Sequence, residues 1–225
     1  MNEELIKSIQ KRAANPKKIH DMSRGMSPVP VLSAPAALEQ IRLTEAALGF
    51  DLPPVYKDVV GKIANGSFGP GYGMFGVEGG HGDFDGKSLL ELYVQSHTPG
   101  AKGYLPLLPE KMLPLCNWGC GMYSCMDCTD PAGPVYYFNP DIHVLDDDGL
   151  ESTFIDADGT KIWVYQPNLP DTPVEEVAVE EDEDDYEDEN EDEDEFPNQV
   201  CLIPQRGSFE EWISDWAKGT RLMDM

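Results

Sequence analysis

Four cysteines within thirteen residues are the strongest chemical signal in the sequence. Cys116, Cys120, Cys125 and Cys128 follow the spacing C-x3-C-x4-C-x2-C, and four thiolates this close could enclose a tetrahedral Zn²⁺ ion. Structural zinc sites usually combine two well-separated C-x2-C pairs, however, and only Cys125 and Cys128 form such a pair. Strand alternation would send these two side chains to opposite faces of a sheet. We therefore expect buried or half-buried free thiols and no cofactor, with a zinc site on the four cysteines as the alternative.

A redox role for the same C-x2-C pair is the weaker interpretation. Redox cysteines of the thioredoxin type lie at a helix N-terminus, which lowers the pKa of the thiol. The pair in this sequence falls in a predicted strand and is followed by Asp130 and Pro131. The pattern therefore does not favour a dithiol catalyst.

Three histidines occur near aspartates in loop-like segments, which raises the question of metal binding or acid–base catalysis. Their positions show neither H-x-x-x-H nor H-E-x-x-H, the spacings that place two ligands on one helix face. No nucleophile and base with a recognisable spacing accompany them, so we expect surface histidines and a protein that is not an enzyme. The residues concerned are His81, His97, His143, Asp83, Asp85 and Asp141.

The chain is strongly acidic, with 42 acidic and 16 basic residues and a formal net charge of -26. This balance disfavours nucleic acid and anionic membranes as partners, because both attract surfaces rich in lysine and arginine. It favours a partner protein with a basic surface, since long-range attraction speeds such encounters. Residues 1–20 lack the apolar core of an export signal, and free cysteines suit the reducing cytosol, so we expect a cytoplasmic protein.

The acidity is concentrated near the end of the chain, where residues 175–195 hold 16 acidic residues and no basic one. Such a segment cannot bury enough apolar surface to offset its ordering entropy, so residues 171–197 are predicted to form a disordered insert. Residues 200–203 then have the pattern of a strand, and Ser208 has the spacing of a helix cap. The apolar stripe of that closing helix comprises Phe209, Trp212, Ile213 and Trp216.

Helical and strand-like patterns come in blocks that predict an α+β fold. The spacing of apolar residues predicts helices over 36–48, 53–65 and 88–95, and strands over 111–118, 121–128, 135–139, 152–155 and 161–166. We expect a mostly antiparallel sheet of about five to six strands, connected as a meander, with helices packed on one side. The predicted organisation is a loosely attached N-terminal arm (1–35), one domain (36–219) interrupted by the acidic insert, and a tail (220–225).

Three blocks of the sequence resemble the SUKH superfamily, which is named partly for a fungal regulator of cell-wall synthesis. The block LTEAALGFDLPPVYKDVVGKIANG (43–66) is similar to the opening signature of the superfamily, with Leu-Gly after one helix, Leu-Pro-Pro, and Asn-Gly after the next. The block LCNWGCGMYSC (115–125) looks like the central strand pair of bacterial members, and SFEEWISDW (208–216) resembles their closing helix. The resemblance spans residues 36–219, with the arm and the acidic insert outside it.

The resemblance implies a compact sheet with helices on one side and no catalytic residues. Bacterial members commonly act as immunity proteins against polymorphic or contact-dependent toxins, many of them nucleases or deaminases. We therefore expect a non-catalytic domain that binds and neutralises such a toxin, and a zinc-stabilised regulatory or scaffold module like the fungal branch is the alternative. The contact surface is predicted in the glycine-rich segment, because function concentrates in loops, at the exposed residues Tyr72, Phe75, Asp83, Phe84 and Asp85.

Overall fold

The computed structural model describes residues 1–22, 31–98, 108–140, 151–155, 161–164 and 200–222. The predicted acidic insert, Asp141, His143 and the last three residues of the predicted tail lie outside the described residues. Within these ranges the helices are α1 (Glu3–Ala13), α2 (Leu38–Leu48), α3 (Pro54–Lys62), α4 (Leu89–Ser96) and α5 (Phe209–Lys218). The strands are β1 (Met112–Gly119), β2 (Met122–Asp127), β3 (Val135–Phe138), β4 (Glu151–Ile155), β5 (Lys161–Val164) and β6 (Val200–Arg206).

The six strands form one sheet in the order β1-β2-β3-β6-β5-β4. The first four in this order pair antiparallel, β5 lies parallel to β6, and β4 is antiparallel to β5 at the other edge. This arrangement confirms the predicted α+β fold with a mostly antiparallel sheet. The simple meander is wrong in one respect, because β6 enters between β3 and β5, with Leu202 opposite Phe138. The chain beyond the acidic insert therefore completes the middle of the sheet.

Local sequence signals account for the helix ends. The Ser88 Oγ accepts a hydrogen bond from the Glu91 N–H at 3.2 Å, and the Glu91 carboxylate accepts one from the Ser88 N–H at 2.8 Å, which is a capping box. Ser208 likewise caps α5, because its Oγ accepts from the Glu211 N–H at 3.1 Å. The same helix ends at Gly219 in the left-handed conformation, with φ +87°. No helix within the described ranges combines the length and the apolar character needed to cross a membrane.

The apolar stripe of α5 lies in the centre of the core, as its spacing predicts. The Trp216 ring lies 5.7 Å from the Phe68 ring, and the Phe209 ring lies 5.4 Å from the Tyr56 ring of α3, edge to face. Aromatic rings at these separations add stability beyond the area that they bury. All four residues of the stripe are completely buried: Phe209, Trp212, Ile213 and Trp216.

A chain of buried hydrogen bonds joins β1, β2, β6 and α5. The Trp118 Nε1 donates to the Ser124 Oγ at 2.8 Å, and the Ser124 hydroxyl donates to the Gln205 Oε1 at 2.7 Å. The Trp212 Nε1 donates to the same Gln205 oxygen at 3.1 Å. Because buried polar groups are costly without partners, this network ties the strand after the acidic insert to the strands before it.

The N-terminal helix α1 packs against α5 instead of forming a loosely attached arm. Ile9 and Ala13 are buried in the common core, at 0% and 1% exposure. The Arg12 guanidinium pairs with Asp21 at 2.8 Å and lies 4.9 Å from the centre of the Trp216 ring, a cation–π contact. The expectation of loose attachment is therefore wrong for residues 1–22, because α1 supplies an apolar face that α5 covers. The boundaries of the predicted domain itself stay a prediction.

Candidate partner-binding site

The Asn65-Gly66 pair anchors the glycine-rich segment that carries most of the predicted contact residues. The buried Asn65 side chain accepts a hydrogen bond from the Val77 N–H at 2.8 Å and donates to the Glu78 carbonyl at 3.3 Å. Gly66 has φ +77°, and a Cβ there would lie 2.6 Å from the Met74 carbonyl oxygen, so only glycine allows this close approach. The Asn65-Gly66 pair, which is predicted to end the helix, lies three residues beyond the last residue of α3, Lys62, and holds the following loop in one conformation.

Backbone hydrogen bonds attach this loop to the edge strand β1. The Tyr72 N–H donates to the Asn117 carbonyl at 2.9 Å, and the Phe75 N–H donates to the Leu115 carbonyl at 2.8 Å. The Phe75 side chain is only 2% exposed, and the hydroxyl of the buried Tyr56 donates to the Phe75 carbonyl at 3.0 Å. The prediction that Phe75 is an exposed contact residue is therefore wrong, because this strand-like piece turns its ring into the core.

A compact turn presents Phe84 and Asp85 to solvent. The Asp83 Oδ1 accepts hydrogen bonds from the Asp85 N–H at 3.0 Å and the Lys87 N–H at 2.7 Å. Side-chain oxygens of aspartate commonly hold turns in this way. Phe84, at the tip, is 60% exposed, and its ring lies 4.5 Å from the Tyr72 ring in an edge-to-face contact. Four of the five predicted contact residues therefore lie together on one surface.

This surface borders a concave pocket of about 280 Å³, which we call the Phe84 pocket. Asp83, Phe84 and Asp85 form one side, α4 contributes Leu92, and the β1–β2 region contributes Cys120 and Tyr123. The turn between the two strands follows the sequence Gly119-Cys120-Gly121, and Cys120 has φ +50°. Sequence reasoning did not assign Cys120 or Tyr123 to this surface. The signal that could have identified Cys120 is the Gly-X-Gly pattern between two predicted strands, because it indicates a turn whose central residue is exposed.

The charges around the Phe84 pocket act on Tyr123. Burial raises the pKa of the Tyr123 hydroxyl to about 12, and the carboxylates of Asp83 and Asp85 contribute to the same increase. The Asn117 amide donates a hydrogen bond to this hydroxyl at 3.0 Å, which opposes the shift in pKa. Tyr123 therefore stays a neutral phenol in a region of negative potential.

The four cysteines of the predicted metal site divide between the core and the surface. Cys116, Cys125 and Cys128 are buried free thiols, whereas Cys120 is exposed. Burial raises the pKa of the Cys116 and Cys128 thiols to about 12 and that of Cys125 further. Among the residues that the structure describes, no group of three or more His, Cys, Asp or Glu side chains is placed to hold a metal ion. The zinc alternative remains a prediction for elemental analysis.

The histidines that the structure describes, His20, His81 and His97, are half-buried or buried and do not line the Phe84 pocket. The Nδ1 and Nε2 of His97 lie 2.8 Å from the carbonyl oxygens of Tyr93 and Pro109, which ties the end of α4 to the segment before β1. The buried His20 places its Nε2 2.8 Å from the Ser67 carbonyl, and its ring lies 6.2 Å from the ring of His81. His81 and His97, for which the sequence predicts a surface position, are half-buried.

Comparison with known protein families identifies the family of the chain. The sequence model of the SMI1/KNR4 family (SUKH-1) matches residues 35–166, which is more than half of the 225 residues. The match contains the blocks at 43–66 and 115–125 and all the residues of the Phe84 pocket, and it ends before the closing helix. A search of curated proteins gave no match. The predicted SUKH membership is confirmed, and the chain belongs to the SMI1/KNR4 family (SUKH-1).

Proposed function

We propose that this chain is a non-catalytic, cytoplasmic immunity-type protein that binds and neutralises a cognate toxin of the nuclease or deaminase type. Membership of the SUKH superfamily supports the class of function. The net charge of -26 supports a partner with a basic surface, because opposite charges across an interface raise the association rate and exclude wrong partners. A nuclease toxin needs a basic groove for its substrate, and an acidic immunity protein fits the same groove.

The observation that carries the proposal is the convergence of aromatic and acidic side chains at one pocket, with Phe84 and Asp85 exposed and Tyr72 and Asp83 half-buried. Tyr72, Asp83, Phe84 and Asp85 come from two turns that separate hydrogen bonds hold in place. An aromatic ring that is 60% exposed beside a concave surface has the character of a binding anchor. The surrounding carboxylates form a charged rim, which steers the encounter more than it adds to affinity.

The first experiment identifies the toxin and tests neutralisation. The reading frame next to this gene is expressed in cells with and without the full chain, and growth is measured. We expect growth arrest without the chain and rescue with it. The proposal is refuted if the chain neither binds nor neutralises the product of this reading frame or of any other neighbouring reading frame.

The second experiment places the interface. Phe84→Ala should weaken toxin binding by about 10- to 100-fold, because truncation of an aromatic anchor commonly costs at least 1.4 kcal/mol. Leu43→Ala is the matched control, since Leu43 on α2 is 51% exposed and does not line the Phe84 pocket. Isothermal titration calorimetry with both variants measures the difference. Equal affinities of the two variants would show that the interface lies outside the Phe84 pocket.

The acidic insert has a separate, kinetic role in the proposal. Deletion of residues 175–195 should slow association with a basic toxin and flatten its salt dependence, with little change in dissociation rate. The shortened chain can still close, because the fourteen remaining residues (165–174 and 196–199) span about 45 Å when extended. This reach exceeds the length of β6, whose seven residues span only about 24 Å, so the shortened connection can still return to the start of that strand. Unchanged association kinetics would make the insert a spacer.

A further inference from the structure

The size of the Phe84 pocket limits what it can hold. Its volume of about 280 Å³ lies just below the range of about 300–1,000 Å³ that is usual for small-molecule sites. The pocket is open enough for a side chain to enter from a partner, and the exposed Phe84 stands at its rim. These dimensions fit one long side chain better than a nucleotide or a cofactor.

The lining of the pocket is acidic and aromatic. Asp83 and Asp85 face a single basic residue, Lys87, whose Nζ donates a hydrogen bond to the Gln95 side chain at 2.9 Å. The Asp85 carboxylate makes no ion pair or hydrogen bond with any described residue. Neither Asp83 nor Asp85 forms an ion pair within the part of the chain that the structure describes, and Asp85 follows directly after the exposed Phe84.

The rest of the lining combines polar and apolar groups. The side-chain amides of Gln95 and Asn117 are polar, whereas Leu92 and Tyr123 supply apolar surface, and the Tyr123 hydroxyl accepts a hydrogen bond from Asn117. An aliphatic stem can pack along such walls while a charged head stays near the carboxylates. A planar guanidinium can in addition stack on an aromatic ring, which an ammonium does less well.

We infer that the Phe84 pocket receives one arginine side chain of the partner protein. Its guanidinium lies beside Asp83 and Asp85 and stacks on the ring of Phe84, and its stem packs along the apolar part of the lining. This inference rests on the proposed function for the identity of the partner, but the site for a guanidinium exists in the chain alone. The contact is an anchor for one residue of a basic surface. Through this contact, the attraction between the acidic chain and a basic partner becomes specific to one position on each surface.

The test uses N-acetyl-arginine amide as the probe and N-acetyl-norleucine amide as its neutral control. Each is titrated into the ¹⁵N-labelled full chain, and the amide resonances of the pocket are followed by NMR. We expect saturable shifts at Phe84, Cys120 and Tyr123 with the arginine probe, weakened by added salt. Equal shifts with the norleucine probe would overturn the inference in favour of an apolar anchor, and no saturable shift at these residues would overturn it outright.

Charge-removing variants sharpen the test. Asp85→Asn should weaken binding of the arginine probe by about two- to fivefold, the range for one exposed ion pair. Asp51→Asn is the matched control, because Asp51 is exposed and does not line the pocket; it should leave binding unchanged. Equal effects of the two substitutions would overturn the inference.

Failure of the inference and failure of the proposed function give different results. If the chain neutralises a toxin through Phe84 but does not bind the arginine probe at the pocket, the inference fails and the function stands. If the probe binds at the pocket and no toxin is neutralised, the function fails and the guanidinium site stands.

Discussion

Replacing Gln205 by leucine tests whether the chain beyond the acidic insert belongs to the core. The Gln205 Oε1 accepts hydrogen bonds from the Ser124 hydroxyl at 2.7 Å and the Trp212 Nε1 at 3.1 Å. Leucine has a similar volume but no acceptor, so both buried donors lose their partner. Each buried donor without a partner costs about 1–3 kcal/mol, so we expect the free energy of unfolding to fall by about 2–5 kcal/mol. That loss is a large share of the roughly 5–15 kcal/mol of a typical domain.

Urea unfolding measured by tryptophan fluorescence provides the assay, because Trp212 is part of the network. The midpoint of Gln205→Leu should fall by about 1–2 M urea at an unchanged slope. Gln10→Leu is the control: Gln10 is exposed on α1, and its replacement should change the free energy of unfolding by less than about 0.5 kcal/mol.

A double-mutant cycle of Ser124→Ala and Gln205→Leu isolates the hydrogen bond between the two side chains. We expect a coupling free energy of about 0.5–1.5 kcal/mol, the usual net contribution of one such bond. A midpoint for Gln205→Leu that equals that of the unchanged chain would refute the reasoning. It would mean that β6 does not complete the sheet between β3 and β5.

Three further predictions concern the histidine pair, the thiols and the first helix. Burial lowers the pKa of His20, and burial together with the nearby His20 lowers the pKa of His81. Because the unfolded chain binds these protons more readily than the folded chain, the free energy of unfolding should decrease as the pH falls below about 6.5. Urea midpoints at pH 7.5 and 5.5 measure this decrease, and His20→Gln should make it smaller; a midpoint that rises on acidification would contradict the assignment. In a Cys201→Ser background a thiol reagent should label one cysteine quickly under native conditions, and Cys120→Ser should abolish that fast phase, because the other described thiols are buried. Elemental analysis of the same protein should find no stoichiometric zinc, and one zinc ion per chain would establish the alternative site. Ile9→Ala should lower the free energy of unfolding by about 2–5 kcal/mol, since the side chain is fully buried under α5. If the decrease is no larger than that caused by Gln10→Ala, α1 does not contribute to the core.

Much of the local structure follows from the sequence because its signals act over a few residues. Ser88 with Glu91 and Ser208 with Glu211 place two helix starts, and the spacing of Phe209, Trp212 and Trp216 identifies the buried face of α5. Each of these features depends on residues within one or two turns of a helix. The acidic and aromatic character of the candidate site is predictable in the same way.

Other features depended on contacts that no local pattern encodes. Phe75 and Phe84 are both aromatic residues in one glycine-rich segment, yet one is 2% exposed and the other 60%. The difference arises because the Phe75 N–H pairs with Leu115 on β1, which turns its ring inward, whereas the Asp83 turn points Phe84 outward. Spacing along the chain does not specify which distant strand a loop joins.

The sequence by itself determined the family, the α+β class, the approximate positions of the strands and of every helix except α1, and the existence of a closing segment after the acidic insert. Only the tertiary structure decided that β6 enters the middle of the sheet, that α1 packs on α5, and that Cys120 is exposed while three other cysteines are buried. The physical reason is the range of the interactions. Caps, turns and amphipathic spacing act between near neighbours in the chain, whereas strand order and side-chain burial depend on partners that lie up to about two hundred residues away.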